Sequence, residues 1–202
     1  MATLPASFVT HHSLVWLVAM LCLLPGVLPA FAETTPNRSI EFMGQVYNLN
    51  KVQKINNGNA LYFVPSHQNP DQSTEEIVVN FYEQQDKNGK TITPDGLADA
   101  MLAQAKAEGA TVIMPFKVPD PADKSRYIYY ITDYLVYPQD GNGDIWLSKT
   151  LQSGDRTVGI LYKHQVDGAN ANAIGENAMA WLRQNYKQYS AALETVVIPE
   201  RS

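Results

Sequence analysis

The chain has 202 residues, a formal net charge of −5 at pH 7 and one cysteine. A chain of this length suits a single domain with a substantial hydrophobic core. Its acidic balance, without clusters of Lys or Arg, argues against nucleic acid and anionic membrane surfaces as partners.

The first 32 residues have the pattern of a secretory signal peptide. An apolar core runs from Leu14 to Leu24, and residues 30–32 read Ala-Phe-Ala, a small-x-small cleavage motif. This apolar run is short for a membrane span, and Pro25 interrupts any continuous helix. We expect cleavage after Ala32, an exported domain over residues 33–202 and no stable membrane anchor after cleavage. The alternative is an uncleaved anchor, because no Lys or Arg precedes the apolar core.

The cysteine content indicates the compartment of the exported domain. Cys22 lies inside the leader, so residues 33–202 contain no cysteine. Small secreted domains of eukaryotes usually carry disulfides, whereas a domain of this size is stable without them. We therefore predict a bacterial periplasmic protein, with secretion from the cell as the alternative.

The first half of the exported domain reads mainly as strands. Alternating and apolar runs predict strands over residues 40–49, 51–55, 60–65 and 76–84, and Asn56-Asn57-Gly58-Asn59 predicts a hairpin turn. A helix follows, with Thr93 as its N-cap, Pro94 in its first turn and Gly109 at its left-handed exit. Its apolar stripe contains Leu97, Ala98, Met101, Leu102 and Ala105.

The second half predicts a further strand, a three-strand meander and a long C-terminal helix. The strands are expected over residues 110–119, 126–138, 144–152 and 157–165, and the helix begins near residues 170–172. Its apolar arc contains Ile174, Ala178, Trp181, Leu182, Tyr189 and Leu193.

This order of elements predicts an α+β fold, an antiparallel sheet of about six or seven strands packed with two amphipathic helices. The order, with residues 93–109 between strand groups and residues 173–189 at the end, resembles the PsbP/Mog1-type sandwich.

The stretch Gln139-Asp140-Gly141-Asn142-Gly143-Asp144 fits either a calcium loop or a turn. An EF-hand loop needs a glycine at its sixth position and a glutamate at its twelfth. Counted from Asp140, those positions hold Ile145 and Leu151, and the flanking pattern is strand rather than helix. We therefore predict a turn and no metal site.

A turn centred on Gly141 predicts which residues of the meander share a face. It places Leu135 opposite Leu147, and a second turn at Gly154-Asp155 places Leu147 opposite Tyr162. The face opposite this apolar one carries Tyr130, Tyr134 and Trp146 among hydroxyl side chains. Because Tyr and Trp are enriched where proteins bind partners, these residues are candidates for a recognition face. The alternative is that a helix covers them as core.

The same register places Asp133 opposite Lys149 on the apolar face. A buried pair of this kind requires tight hydrogen bonding to offset its desolvation. It is either a polar pair at the sheet rim or the floor of a ligand cleft.

Few groups in the exported domain suit catalysis. Its two histidines are His67 and His164, and His164 lies near Asp167, so a hydrolase would use this pair with a hydroxyl nucleophile such as Ser148 or Ser153. The sequence has no nucleophile elbow, zinc motif or phosphate loop, and we predict no catalytic residue, cofactor or metal.

These observations favour a non-catalytic periplasmic binding or accessory protein that acts through protein–protein contacts. Its partner would be an envelope or secreted protein, as for an envelope-assembly or toxin-neutralising factor. Two alternatives stay open: a periplasmic hydrolase that uses His164 and Asp167, and a small-ligand carrier with Asp133 and Lys149 in its pocket.

Overall fold

A computed structural model describes residues 38–198 of the protein. These residues form an α+β fold, as predicted, with two helices and one antiparallel sheet of nine strands, more than the sequence indicated. The predicted signal peptide and the alternative of an N-terminal anchor lie outside the described residues.

The strands are β1 (Ser39–Phe42), β2 (Gln45–Ile55), β3 (Gly58–Pro65), β4 (Glu75–Tyr82), β5 (Thr111–Val112), β6 (Phe116–Pro119), β7 (Tyr127–Tyr137), β8 (Asn142–Ser153) and β9 (Arg156–Asp167). Their order across the sheet is β1-β2-β3-β4-β9-β8-β7-β5, and β6 also pairs with β7. The C-terminal meander therefore lies between β4 and the short strands β5 and β6, and strand β9 joins it to the N-terminal strands.

The first helix begins at its predicted N-cap, and the second begins within the predicted range of residues 170–172. Helix α1 (Pro94–Ala107) starts at Thr93, whose Oγ1 accepts from the backbone N–H of Gly96 at 3.1 Å. Helix α2 (Ala171–Thr195) starts at Asn170, whose Oδ1 accepts from the N–H of Ala173 at 3.1 Å. These side-chain acceptors satisfy backbone donors that have no partner inside the helix.

The helices cover opposite faces of the sheet. Helix α2 buries Ile174, Ala178 and Leu182 in the larger core, which contains Phe63, Ile145, Ile160 and Tyr162 from the strands. Helix α1 packs Leu97 and Met101 into a smaller core with Tyr62, Val78 and Leu161. We call these the α2 face and the α1 face of the sheet.

Two predicted strands are interrupted. The run over residues 40–49 contains a tight turn at Met43 and Gly44, whose φ angles of 55° and 72° are left-handed. The run over residues 110–119 is divided into β5 and β6, which flank Pro115. Proline has no N–H to donate to a strand neighbour, which favours a break there.

The predicted register of β8 and β9 is confirmed, whereas that of β7 and β8 is wrong. Leu147 lies opposite Tyr162 as expected, but Leu135 lies opposite Asp144 rather than Leu147. A turn does join β7 to β8, yet it occupies residues 138–141 instead of centring on Gly141. The register therefore shifts by three residues, and an odd shift exchanges the faces of one strand relative to the other.

Candidate functional site

The corrected register separates the residues proposed as a recognition face. Tyr130 is 6% exposed and stacks on Phe116, with ring centroids 4.9 Å apart. Tyr134 packs against the core on the α2 face, whereas Trp146 packs against the smaller core on the α1 face. Tyr130, Tyr134 and Trp146 therefore do not form one surface.

The predicted polar pair of Asp133 and Lys149 is also not formed. Asp133 lies opposite Trp146 and faces α1. Lys149 lies on the other face, where its Nζ donates to the carbonyl oxygens of Leu193 at 3.4 Å and Glu194 at 3.3 Å. Burial lowers the pKa of Lys149. The Lys149 ammonium supplies hydrogen-bond donors to carbonyl groups at the end of α2, which have no donor within the helix.

His164 and Asp167 do not form the pair that a hydrolase requires. They are three residues apart on β9, so their side chains point to opposite faces of the sheet. Ser148 lies on the α1 face, opposite the one that carries His164, and Ser153 ends β8 at the turn into β9. In the described part of the chain, these groups do not converge on one site.

His164 instead borders a carboxylate, Glu75, that sequence reasoning overlooked. Glu75 accepts a hydrogen bond from Tyr47 Oη at 2.9 Å and another from Tyr162 Oη at 3.0 Å. His164 Nδ1 lies 3.4 Å from Glu75 Oε1, but without hydrogen-bond geometry, and it has no hydrogen-bond partner within residues 38–198. Trp181 of α2 stacks on the imidazole, with ring centroids 4.5 Å apart.

The neighbours of Glu75 hold its pKa below the ordinary value. His164 contributes most, burial acts in the opposite direction, and the hydroxyls of Tyr47 and Tyr162 lower the pKa further. Burial, reinforced by the charge of Glu75, raises the pKa of both tyrosines, so their hydroxyls remain protonated donors. Each oxygen of the Glu75 carboxylate accepts one of these hydrogen bonds. The network therefore stabilises the contact of β2, β4 and β9 with one another.

A cleft opens on the α1 face, between the C-terminal half of α1 and the hairpin of β7 and β8. It comprises two adjoining pockets, which we call the inner chamber, with a volume of about 20 Å³, and the outer part, with a volume of about 380 Å³. Both parts share Glu108, Leu135 and Tyr137. The inner chamber is otherwise lined by Met101, Ala105, Ala110, Asp133, Trp146, Ser148 and Leu161.

Asp133 is the buried charged group of this cleft. It is 8% exposed, and its carboxylate has no hydrogen bond or ion pair with any other described residue. Burial raises the pKa of Asp133 to about 7, and the nearby charge of Glu108 acts in the same direction. An acid with a strongly perturbed pKa inside a cleft is a candidate functional group.

The charges around Asp133 are negative. Tyr137 donates to Asp144 Oδ2 at 3.4 Å, and the pKa of Tyr137 is raised by burial and then by the carboxylates of Asp144, Glu108 and Asp133. Glu108 accepts a hydrogen bond from Gln104 Nε2 at 2.8 Å. The residues that line the cleft include no Lys, Arg or His.

The sequence identified Asp133 and Trp146 but assigned them to opposite faces, and it missed Glu108. Glu108 is three residues beyond Ala105, the last buried residue of α1, and is therefore placed by the helix next to the apolar stripe. A shift of three residues in the β7–β8 register would have placed Asp133 and Trp146 on the same face. No local feature of the hairpin required that shift.

No protein-family model matches the chain, and neither does any curated protein. Across residues 38–198, no helix is both long and apolar enough to cross a membrane. Within the same range, no three His, Cys, Asp or Glu residues are grouped as metal ligands would be.

Proposed function

We propose that the protein is an exported, non-catalytic binding protein that acts through contact with another envelope or secreted protein. We assign its binding site to the cleft on the α1 face. The observation that carries this assignment is Asp133, a buried carboxylate that lines an open cleft and has no partner within the described residues. An unpaired buried charge is costly, and a buried acid of this kind in a cleft is a candidate for ligand binding.

The shape of the cleft supports binding rather than catalysis on a bulky substrate. Ser148 lines the inner chamber, where a volume of about 20 Å³ leaves room for roughly one water-sized group. A reacting ester or amide would not reach its hydroxyl without rearrangement. His164, the base of the rival hydrolase, belongs to the opposite face of the sheet.

Two finer statements belong to this proposal. The leader sequence supports export to the periplasm, with cleavage after Ala32. The order of strands and helices, with one helix on each face of an antiparallel sheet, is compatible with the PsbP/Mog1-type sandwich that the sequence resembles. A role in envelope assembly or in neutralising a toxin would use the same surface.

Site-specific photo-crosslinking tests the proposed surface. A benzophenone amino acid replaces Gln139, an exposed residue at the mouth of the cleft, in the full chain expressed in its native host. The matched control carries the same probe at Val52, which is 50% exposed on β2, far across the sheet. We expect a dominant adduct from Gln139 that the Val52 probe does not form.

The adduct must contain one exported protein, and the purified partner must bind the wild-type chain. Leu135→Arg, which places a bulky cation in the shared wall of the cleft, is expected to weaken that binding at least tenfold, since it obstructs the cleft. Identical adducts from both positions, or unchanged binding of the Leu135→Arg variant, would overturn the proposed surface.

A further inference from the structure

The cleft has the features of a site for a small cation on a slender apolar stem. The first feature is that Asp133 lacks a positively charged partner. Asp133 is nine-tenths buried without an ionic partner, and the carboxylates of Glu108 and Asp144 act on the same region. A positively charged group placed against Asp133 would be attracted by all three carboxylates.

Lys163 of β9, which lies opposite Trp146 in the sheet, is engaged elsewhere. Lys163 Nζ lies 3.8 Å from Glu76 Oε2 and 5.9 Å from the centre of the Trp146 ring. Lys106 of α1 is exposed and does not line the cleft. Within residues 38–198, the charged groups facing Asp133 from β7, β8 and α1 are therefore acidic, and no described basic residue pairs with it.

The second feature is the shape of the cleft. The inner chamber, at about 20 Å³, accommodates roughly one group the size of a water molecule, which is also the size of an ammonium head. Guanidinium and trimethylammonium groups are larger than a water molecule and therefore fit this volume less well. The outer part, at about 380 Å³, is lined by Leu135, Tyr137 and Pro138 and leaves room for a chain of methylenes.

We propose that the cleft binds a primary alkylammonium group, with the ammonium at the Asp133 carboxylate and the alkyl stem along Leu135 and Trp146. This inference rests on the proposed function only in taking the cleft as the binding surface. The group would come either from the lysine side chain of a partner protein or from a free alkylamine, since both present the same chemistry.

Titration of the full chain with n-butylammonium chloride tests the proposal. Binding is followed by amide chemical shifts of residues 105–110 and 133–137, at constant ionic strength. Three further compounds serve as comparison probes. Ethylguanidinium has a wider charged head, tetramethylammonium has a bulkier charged head, and 1-butanol has no charge. We expect n-butylammonium to bind at least tenfold more tightly than each of these, because only it combines the charge with the small head.

Asp133→Asn keeps the shape of the side chain and removes its charge. We expect n-butylammonium to bind this variant roughly 10- to 100-fold more weakly, as is typical when a hydrogen bond to a charged group is lost. Asp120→Asn is the matched control, because Asp120 is a buried aspartate outside the cleft. Its binding should equal that of the wild type, and Glu108→Gln should give a smaller loss than Asp133→Asn.

The pH dependence supplies a second readout. The ammonium binds the ionised carboxylate, whereas a simple alkylamine stays protonated up to about pH 10. Since the pKa of Asp133 is about 7, affinity should fall by about tenfold or more between pH 8.5 and pH 5.5 in the wild type. In the Asp133→Asn variant it should change little.

Tripeptides with a central lysine or a central norleucine separate the two sources of the amine. Binding of the lysine peptide indicates a side chain of a protein partner, whereas binding of n-butylammonium alone indicates a free amine, and either result supports the site. Equal binding of 1-butanol and n-butylammonium, or unchanged binding to Asp133→Asn, would overturn it. Amine binding without any Gln139 adduct would contradict the proposed function alone, and an adduct without amine binding would contradict this inference alone.

Discussion

Asp133 and Glu75 are both carboxyl groups in the interior, yet their surroundings change their pKa in opposite directions. Glu75 accepts hydrogen bonds from two tyrosine hydroxyls and has an imidazole beside it, so its charged form is favoured. Asp133 has neither, and its burial, reinforced by the nearby charge of Glu108, raises its pKa and favours the neutral form. Hydrogen bonds and neighbouring charges thus distinguish a structural acid from a candidate binding group.

Asp133→Asn should stabilise the protein at pH 8 and have little effect near pH 4.5. The folded pKa of about 7 exceeds the ordinary value of 3.8, so the folded state holds a proton that the unfolded state releases between these values. Stability conferred by the protonated form is therefore complete below about pH 4 and is lost as the pH rises to about 7. At about 1.4 kcal/mol per pKa unit, the loss is roughly 4 kcal/mol at most.

Urea denaturation of both proteins at pH 4.5 and pH 8 measures this difference directly. The pKa values of Glu76 and Asp144 are also raised, chiefly by burial, but their contributions are common to both proteins and cancel. A gain in the free energy of unfolding that is the same at both pH values would contradict the assigned burial of the Asp133 charge.

At the scale of single elements, the contact of α2 with β8 depends on a glycine. A Cβ atom at Gly143 would lie 2.6 Å from the carbonyl oxygen of Leu135 and 2.7 Å from Ile174 Cγ2. Gly159 on β9 differs, because there the nearest atom would be Leu97 Cδ2 at 3.6 Å, an ordinary contact. The first glycine therefore sets how closely β7, β8 and α2 approach one another.

Gly143→Ala should lower the free energy of unfolding by about 1–3 kcal/mol, because the added methyl group forces the strand and the helix apart. Gly159→Ala is the matched control and should be neutral or slightly stabilising, since alanine costs less backbone entropy in a strand. Urea or thermal denaturation measures both. Equal effects of the two substitutions would show that α2 does not pack on β8 at Gly143.

At the scale of the whole molecule, one sheet serves both helices. Strands β8 and β9 contribute Ile145 and Ile160 to the core under α2, and Leu161 to the core under α1. Neither helix can lose its packing without exposing strands that the other helix also covers. We therefore expect residues 38–198 to unfold as one cooperative unit.

Tryptophan fluorescence tests this cooperativity, because Trp146 lies on the α1 face and Trp181 belongs to α2. Two variants each retain one of these residues, with Trp16 and the other replaced by phenylalanine. The urea midpoint reported from each face should agree with that of the far-ultraviolet circular dichroism of the same variant. A separate, earlier transition in either variant would show that one helical layer unfolds by itself.

The locally determined features of this fold were predictable from the sequence. The caps Thr93 and Asn170, the hairpin turn at Asn57 and the two-residue turn at Gly154 each depend on a few adjacent residues. A two-residue turn allows only one register for the two strands that flank it. The pairing of β8 with β9 was therefore also predictable. These short-range preferences determined the two helices, most strands and the α+β class.

Only the tertiary structure decided which residues of β7 share a face with those of β8. The turn between them contains Pro138 and Gly141, and more than one loop length is compatible with those residues. The packing of Tyr134 under α2 and of Leu135 in the cleft selects the observed register, and both contacts join residues far apart in sequence. Asp133, Glu108 and Trp146 meet for the same reason, since a site assembled from a helix and two strands is determined by long-range packing that no local pattern encodes.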